Sequence, residues 1–239
     1  LFSEDGSGSA GNVALPYVGM GIVVLLVALV FSEIKLPEIE HGAEVDEAGH
    51  EIGLWSHKLF IFGLLALFAY EIGEISINSF FINYVVEQGW MNAREASLVL
   101  SFGGLGLFML GRFAGSWIMG RVRAEKMLLV CATGTVVTTL VVLLDMGMVS
   151  LVALLCGYAF EAIMFPTIFA LSLRGLGNHT KRASSFLMMS PVGGVVGPLL
   201  MGLVADYTTM VMAFIVPLAA YCVVWCYARK MLSVARKAQ

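Results

Sequence analysis

Long apolar runs alternate with short polar connections along almost the whole chain. A hydrocarbon core about 30 Å thick takes about 20 helical residues to cross. Seven runs reach or approach that length: Val13 to Phe31, Leu59 to Val86, Ala96 to Met119, Met127 to Leu144, Val149 to Leu173, Ser184 to Ala205 and Met210 to Ala228. A spanning backbone must satisfy its own hydrogen bonds, and barrel strands would be shorter and two-sided, so each run is predicted as a helix. The pattern therefore predicts an all-α membrane protein with seven transmembrane helices.

The connections give an orientation. Arg121, Arg123 and Lys126 follow the third run, Arg174, Lys181 and Arg182 the fifth, and Arg229, Lys230, Arg236 and Lys237 the seventh. Lys35 and Lys58 fall on that same side, whereas the other side holds only Arg94. Basic loops stay in the cytoplasm, so the C-terminus is expected there. The one long connection carries Glu33, Glu38, Glu40, Glu44, Asp46, Glu47 and Glu51; the rule counts Lys and Arg and is indifferent to this acidity. His41, His50 and His57 are expected to be solvated in it.

The chain thus divides into an extracytoplasmic loop remnant (1–12), a transmembrane helix (13–31), an acidic cytoplasmic linker (32–57), a six-helix bundle (58–230) and a cytoplasmic tail (231–239). One helix, a long linker and six closely joined helices are what remains of two six-helix halves cut before the sixth helix. The polar opening, Ser3 to Asn12, reads as the middle of a loop in a longer polypeptide, whose N-terminal half is then a partner of this chain.

Composition agrees with the bilayer as surroundings. Of 239 residues, 59% are hydrophobic and 13% charged, well below the roughly 25% charged of soluble domains. Mean hydropathy is +0.89. A net charge of −3 with scattered basic clusters argues against nucleic acid. Cys131, Cys156, Cys222 and Cys226 all lie in apolar runs as small hydrophobes, with no ligand set for a metal, and no cofactor is implied.

Polar groups inside the runs carry the chemistry. In the second, Glu71, Glu74 and Asn78 fall within about 60° of one another around a helix, and Ser79 and Asn83 extend the stripe. Each carboxylate at mid-bilayer costs about 2.5–3.5 kcal/mol, so the stripe must face a cavity or partners. Like charge one turn apart predicts that Glu71 and Glu74 share one proton. The fifth run adds Tyr158, Glu161 and Phe165 on one face, then Pro166, which frees a carbonyl upstream. Amides and carboxylates bind hydroxyls while aromatic faces cover C–H surfaces, a combination suited to a sugar. Interhelical hydrogen bonding is the alternative reading of these residues. An intramembrane enzyme using Glu71 and Glu74 would need a nearby base, yet all four histidines lie in connections; a non-functional fragment of a longer protein is the third reading.

Glycines crowd the third run (Gly103, Gly104, Gly106, Gly111, Gly115) and the sixth (Gly193, Gly194, Gly197), where they permit close helix approach. Pro191, Pro198 and Pro217 mark possible kinks.

The stretch Phe165 to Phe186, Phe-Pro-Thr-Ile-Phe-Ala-Leu-Ser-Leu-Arg-Gly-Leu-Gly-Asn-His-Thr-Lys-Arg-Ala-Ser-Ser-Phe, followed by Gly193-Gly194, resembles a signature of the fucose, galactose and glucose cation symporters of the major facilitator superfamily. Gly111-Arg112-Phe113 and the segment Tyr70 to Tyr84 resemble the same family. The resemblance implies that the seven helices are helices 6–12 of a twelve-helix fold in a bacterial inner membrane, working by alternating access. It implies a small-molecule sugar as substrate and a proton or sodium ion as coupling cation. Glu74, Asn78, Asn83, Tyr158, Glu161 and Phe165 are then candidate sugar ligands, and Glu71, Glu74 and Arg112 candidate coupling or gating residues. One departure stands out: Gly115 to Arg123 has no carboxylate ahead of its basic residues.

Overall fold

A computed structural model describes residues 10–33 and 53–237. All regular structure among them is helical, as the apolar runs require. The chain divides into two units, residues 1–41 and 42–239. The first contains one helix, α1 (Ala10–Glu33), longer than its apolar run at both ends. Its side chains from Tyr17 to Val30 are exposed and mostly aliphatic, a surface suited to lipid or to another helix.

The second unit contains six helices long and apolar enough to cross a membrane: α2 (Lys58–Glu87), α3 (Ala93–Met119), α4 (Ala124–Leu143), α5 (Met148–Ser172), α6 (Gly177–Tyr207) and α7 (Met210–Lys237). Local chemistry sets their ends. The α3 N-terminus is a capping box, with Asn92 Oδ1 accepting from Glu95 N–H and Glu95 Oε2 accepting from Asn92 N–H. Between α4 and α5 the chain reverses through Asp145 (φ 48°) and Gly147 (φ 62°), and Ser150 Oγ ties the turn to Met146 N–H and the Val141 carbonyl.

Helix α2 is the centre of the bundle and packs against α5, α6 and α7; α4 packs on α5 and α7, and α3 on α5. Glycines set two close seams between backbones. A methyl on Gly193 or Gly197 would stand 2.5 Å from the Phe68 or Ile72 carbonyl of α2, and one on Gly111 would stand 2.6 Å from the Ala159 carbonyl of α5. The outer faces of α3 and α6 are open, with Phe102 80%, Phe113 70% and Val195 72% exposed.

Three helices are less regular than their apolar runs predict. Val99–Gly104 in α3 is a π-helical turn. Helix α5 is broken between Glu161 and Met164, and α6 contains a 3₁₀ turn at Ser190–Val192, where Pro191 lies. His41, His50 and most of the acidic connection lie outside the described residues. His57 is not solvated as expected: it is half-buried, its ring centroid 6.2 Å from that of His179. The 3₁₀ turn before it, Leu54–Ser56, buries Leu54 and sets Trp55 edge-on to Phe186 of α6 at 5.0 Å.

Candidate functional site

The break in α5 organises the site. Pro166 has no N–H to return to the Ala162 carbonyl, so that oxygen needs a donor from elsewhere. Arg112 of α3 supplies it, Nε donating to Ala162 O at 3.0 Å. The neighbouring Glu161 carbonyl accepts the Tyr70 hydroxyl of α2 at 3.1 Å. Glycines let these helices come close enough, for Gly111 faces Ala159 just before the break and Gly115 faces Ile163 within it. Arg112 also lies over the Phe108 ring, 4.9 Å from its centroid.

The Glu161 side chain points into the core and is 1% exposed. Its Oε1 accepts the Tyr221 hydroxyl of α7 at 2.5 Å. Tyr221 reaches this position across α2 through the space at Gly73, where a methyl would stand 2.6 Å from its ring. Tyr158, one turn before Glu161, is equally buried, meets Gly104 of α3, and sets its ring against Phe81 at 6.3 Å.

Glu74 is half-buried and interacts electrostatically with Tyr70, Arg112 and Glu161. Glu71 is buried, its Cβ beside Gly193 of α6, and it interacts with Glu74 and Tyr70. Phe165 stands 6.2 Å from Tyr70 and stacks on Phe169. Among the residues read from the sequence, Glu74, Tyr158, Glu161, Phe165 and Arg112 thus form one cluster. Asn78 continues it, half-buried one turn past Glu74. Asn83 is exposed, nine residues beyond Glu74, about 13 Å along the helix axis.

Tyr70, Gly73 and Tyr221 complete the cluster but went unselected from sequence, because a tyrosine or glycine in an apolar helix carries no periodic polar signal. A second polar group was missed outright. Glu125, just after the basic residues that follow α3, accepts from Arg174 Nη1 at the end of α5 and lies 3.6 Å from Arg123. Arg123 in turn donates to the Ala235 carbonyl of α7 at 3.3 Å. The carboxylate absent ahead of the basic residues is thus present behind them, and it joins the ends of α4 and α5. A shallow, largely apolar groove lined by Met119, Pro166, Ala170 and Arg174 opens near this end, away from Glu161. Among the described residues no group of three or more metal-binding side chains occurs.

No family model matches the chain. Over 233 residues it is 35% identical to a putative glucose/galactose transporter of Helicobacter pylori, covering 95% of this chain and 56% of that protein. It is 30% identical over 215 residues to a glucose/galactose transporter of Brucella abortus (89% and 52% covered). It is 31% identical over 225 residues to the L-fucose-proton symporter of Escherichia coli (91% and 51% covered). The chain therefore spans about half the length of these relatives. Among solved structures it resembles the major facilitator superfamily transporter FucP in the outward conformation, with a TM-score of 0.80 and 31% identity over 92% of this chain and 54% of that one.

Proposed function

We infer the function of this chain from one premise: it is a multi-pass membrane protein of the major facilitator superfamily, a homologue of the glucose/galactose transporters and L-fucose-proton symporters. It works as the C-terminal bundle of a sugar and cation symporter, together with the helix that precedes it. Its substrate is a hexose or deoxyhexose, and its coupling ion a proton or sodium. The observation that carries this reading is the cluster of Glu74, Tyr158, Glu161 and Phe165 at the break in α5. It gathers hydroxyl-binding and ring-covering groups inside a bundle whose relatives are named as sugar transporters.

In this reading Glu74, Asn78, Tyr158, Glu161 and Phe165 contact the sugar, and Asn83 lies toward the mouth of the path. Glu71, Glu74 and Arg112 form the charged group that responds to the coupling ion. The open faces of α3 and α6 receive the N-terminal half of the same polypeptide, which supplies the opposite wall of the cavity. Rocking of the two halves about the site gives alternating access. The basic ends of α3, α5 and α7 face the cytoplasm of a bacterial inner membrane.

An enzyme built on Glu71 and Glu74 has less support. The Glu71 Cβ lies beside Gly193 of α6, whereas the Glu74 carboxyl interacts with Arg112 of α3. The transport reading is tested by reconstituting the full-length polypeptide in vesicles and imposing a proton or a sodium gradient. Accumulation of fucose, glucose or galactose under one of the gradients is expected. Failure of all three sugars under both gradients overturns the symport reading.

A further inference from the structure

Glu161 is the most completely enclosed carboxyl among the described residues. Tyr221 satisfies its Oε1, while among the described residues Oε2 has no hydrogen-bond partner; nor does the hydroxyl of Tyr158, one turn away and also 1% exposed. The groups that face Glu161 are Tyr70 and Glu74 from α2, Tyr158 from α5 itself and Tyr221 from α7. The cation of the cluster, Arg112 of α3, acts on Glu74. A buried carboxylate needs a cation or several donors to replace its hydration, and one neutral hydroxyl does not suffice. Three carboxyls, Glu71, Glu74 and Glu161, share one guanidinium, which acts on Glu74, so a proton belongs on Glu161, the more enclosed of the two carboxyls without the cation.

We propose that Glu161 carries a proton, as a carboxylic acid whose Oε1 is fixed by Tyr221 and whose Oε2–H is aimed, beside the Tyr158 hydroxyl, at a ligand hydroxyl or a water. This places a proton-carrying group in the C-terminal half of the transporter, and it rests on the cotransport reading above. The chain breaks at Ala162, directly after this residue, so any bending of α5 at the break moves Glu161 relative to α7. When the cavity opens to water, the Oε2–H bond breaks, the proton leaves to water, and the carboxylate keeps the Tyr221 hydroxyl as donor.

The test is infrared difference spectroscopy of the purified full-length protein near pH 7, reading the C=O stretch of a protonated carboxyl. The same preparation is assayed in vesicles for sugar exchange and gradient-driven accumulation. Wild type is expected to show the band. Glu161→Gln, close in size and permanently neutral, is expected to lose it, and with it gradient-driven accumulation. Tyr221→Phe removes the hydrogen bond to Oε1 and is expected to shift the band to higher frequency. A wild-type spectrum without the band, or a band that persists unchanged in Glu161→Gln, overturns the proposal even if sugar accumulates. If the band behaves as expected but no sugar is moved, the protonated Glu161 stands and the cotransport reading falls.

Discussion

At Gly73 a side chain as small as a methyl would meet the Tyr221 ring, and through Tyr221 it would disturb the hydrogen bond that fixes Glu161. Gly73→Ala is therefore expected to destabilise the protein by about 1–3 kcal/mol, the range for overpacking a filled core. The measurement is the thermal unfolding midpoint of the detergent-purified protein; an unchanged midpoint would mean that Tyr221 yields freely. Glu74 makes a different prediction, because its carboxyl interacts with Arg112. Glu74→Gln keeps hydrogen-bonding capacity but leaves the guanidinium without its counter-charge, so sugar exchange and accumulation are expected to fall together. Loss of accumulation with exchange intact would assign the proton to Glu74 instead of Glu161.

Individual helices were legible in the sequence because length and hydropathy alone identify a span, and positions on one helix face follow from a fixed 100° step. The polar stripe from Glu71 to Asn78 and the run Tyr158, Glu161, Phe165 could be found that way. Interruptions were less legible. Pro166 marked the broken α5, but the donors that take over its carbonyls, Arg112 and Tyr70, come from other helices and have no sequence signal linking them to it. The same holds for Tyr221, sixty residues from Glu161, and for Glu125, whose partner Arg174 lies at the far end of the next helix.

Restoring the missing donor tests the break. Pro166→Ala supplies an N–H that can bond Ala162 O in place of Arg112, so amide hydrogen exchange around residues 162–166 should slow and sugar exchange should slow with it. Faster amide exchange there would show that Pro166 braces the break.

On the scale of the molecule, the open faces of α3 and α6 and the close seams of α6 on α2 and of α3 on α5 describe a bundle finished on one side and unpartnered on the other. Lys and Arg lie almost entirely at one end of it, which fixes the expected orientation. A cysteine introduced by Arg236→Cys should resist an impermeant thiol reagent in intact cells and react after the inner face is exposed; labelling in intact cells would invert the topology. Background labelling from Cys156, Cys222 and Cys226, all exposed on the bundle, is removed by substituting them first.

The central claim is that this bundle forms half of a sugar path, and counterflow tests it most directly because it requires no ion gradient. Vesicles containing the full-length protein are preloaded with unlabelled fucose, glucose or galactose and diluted into the labelled sugar. Transient accumulation of label is predicted for at least one of the three, and it should be abolished by Glu74→Ala. Label uptake no greater than in protein-free vesicles for all three sugars would contradict the account.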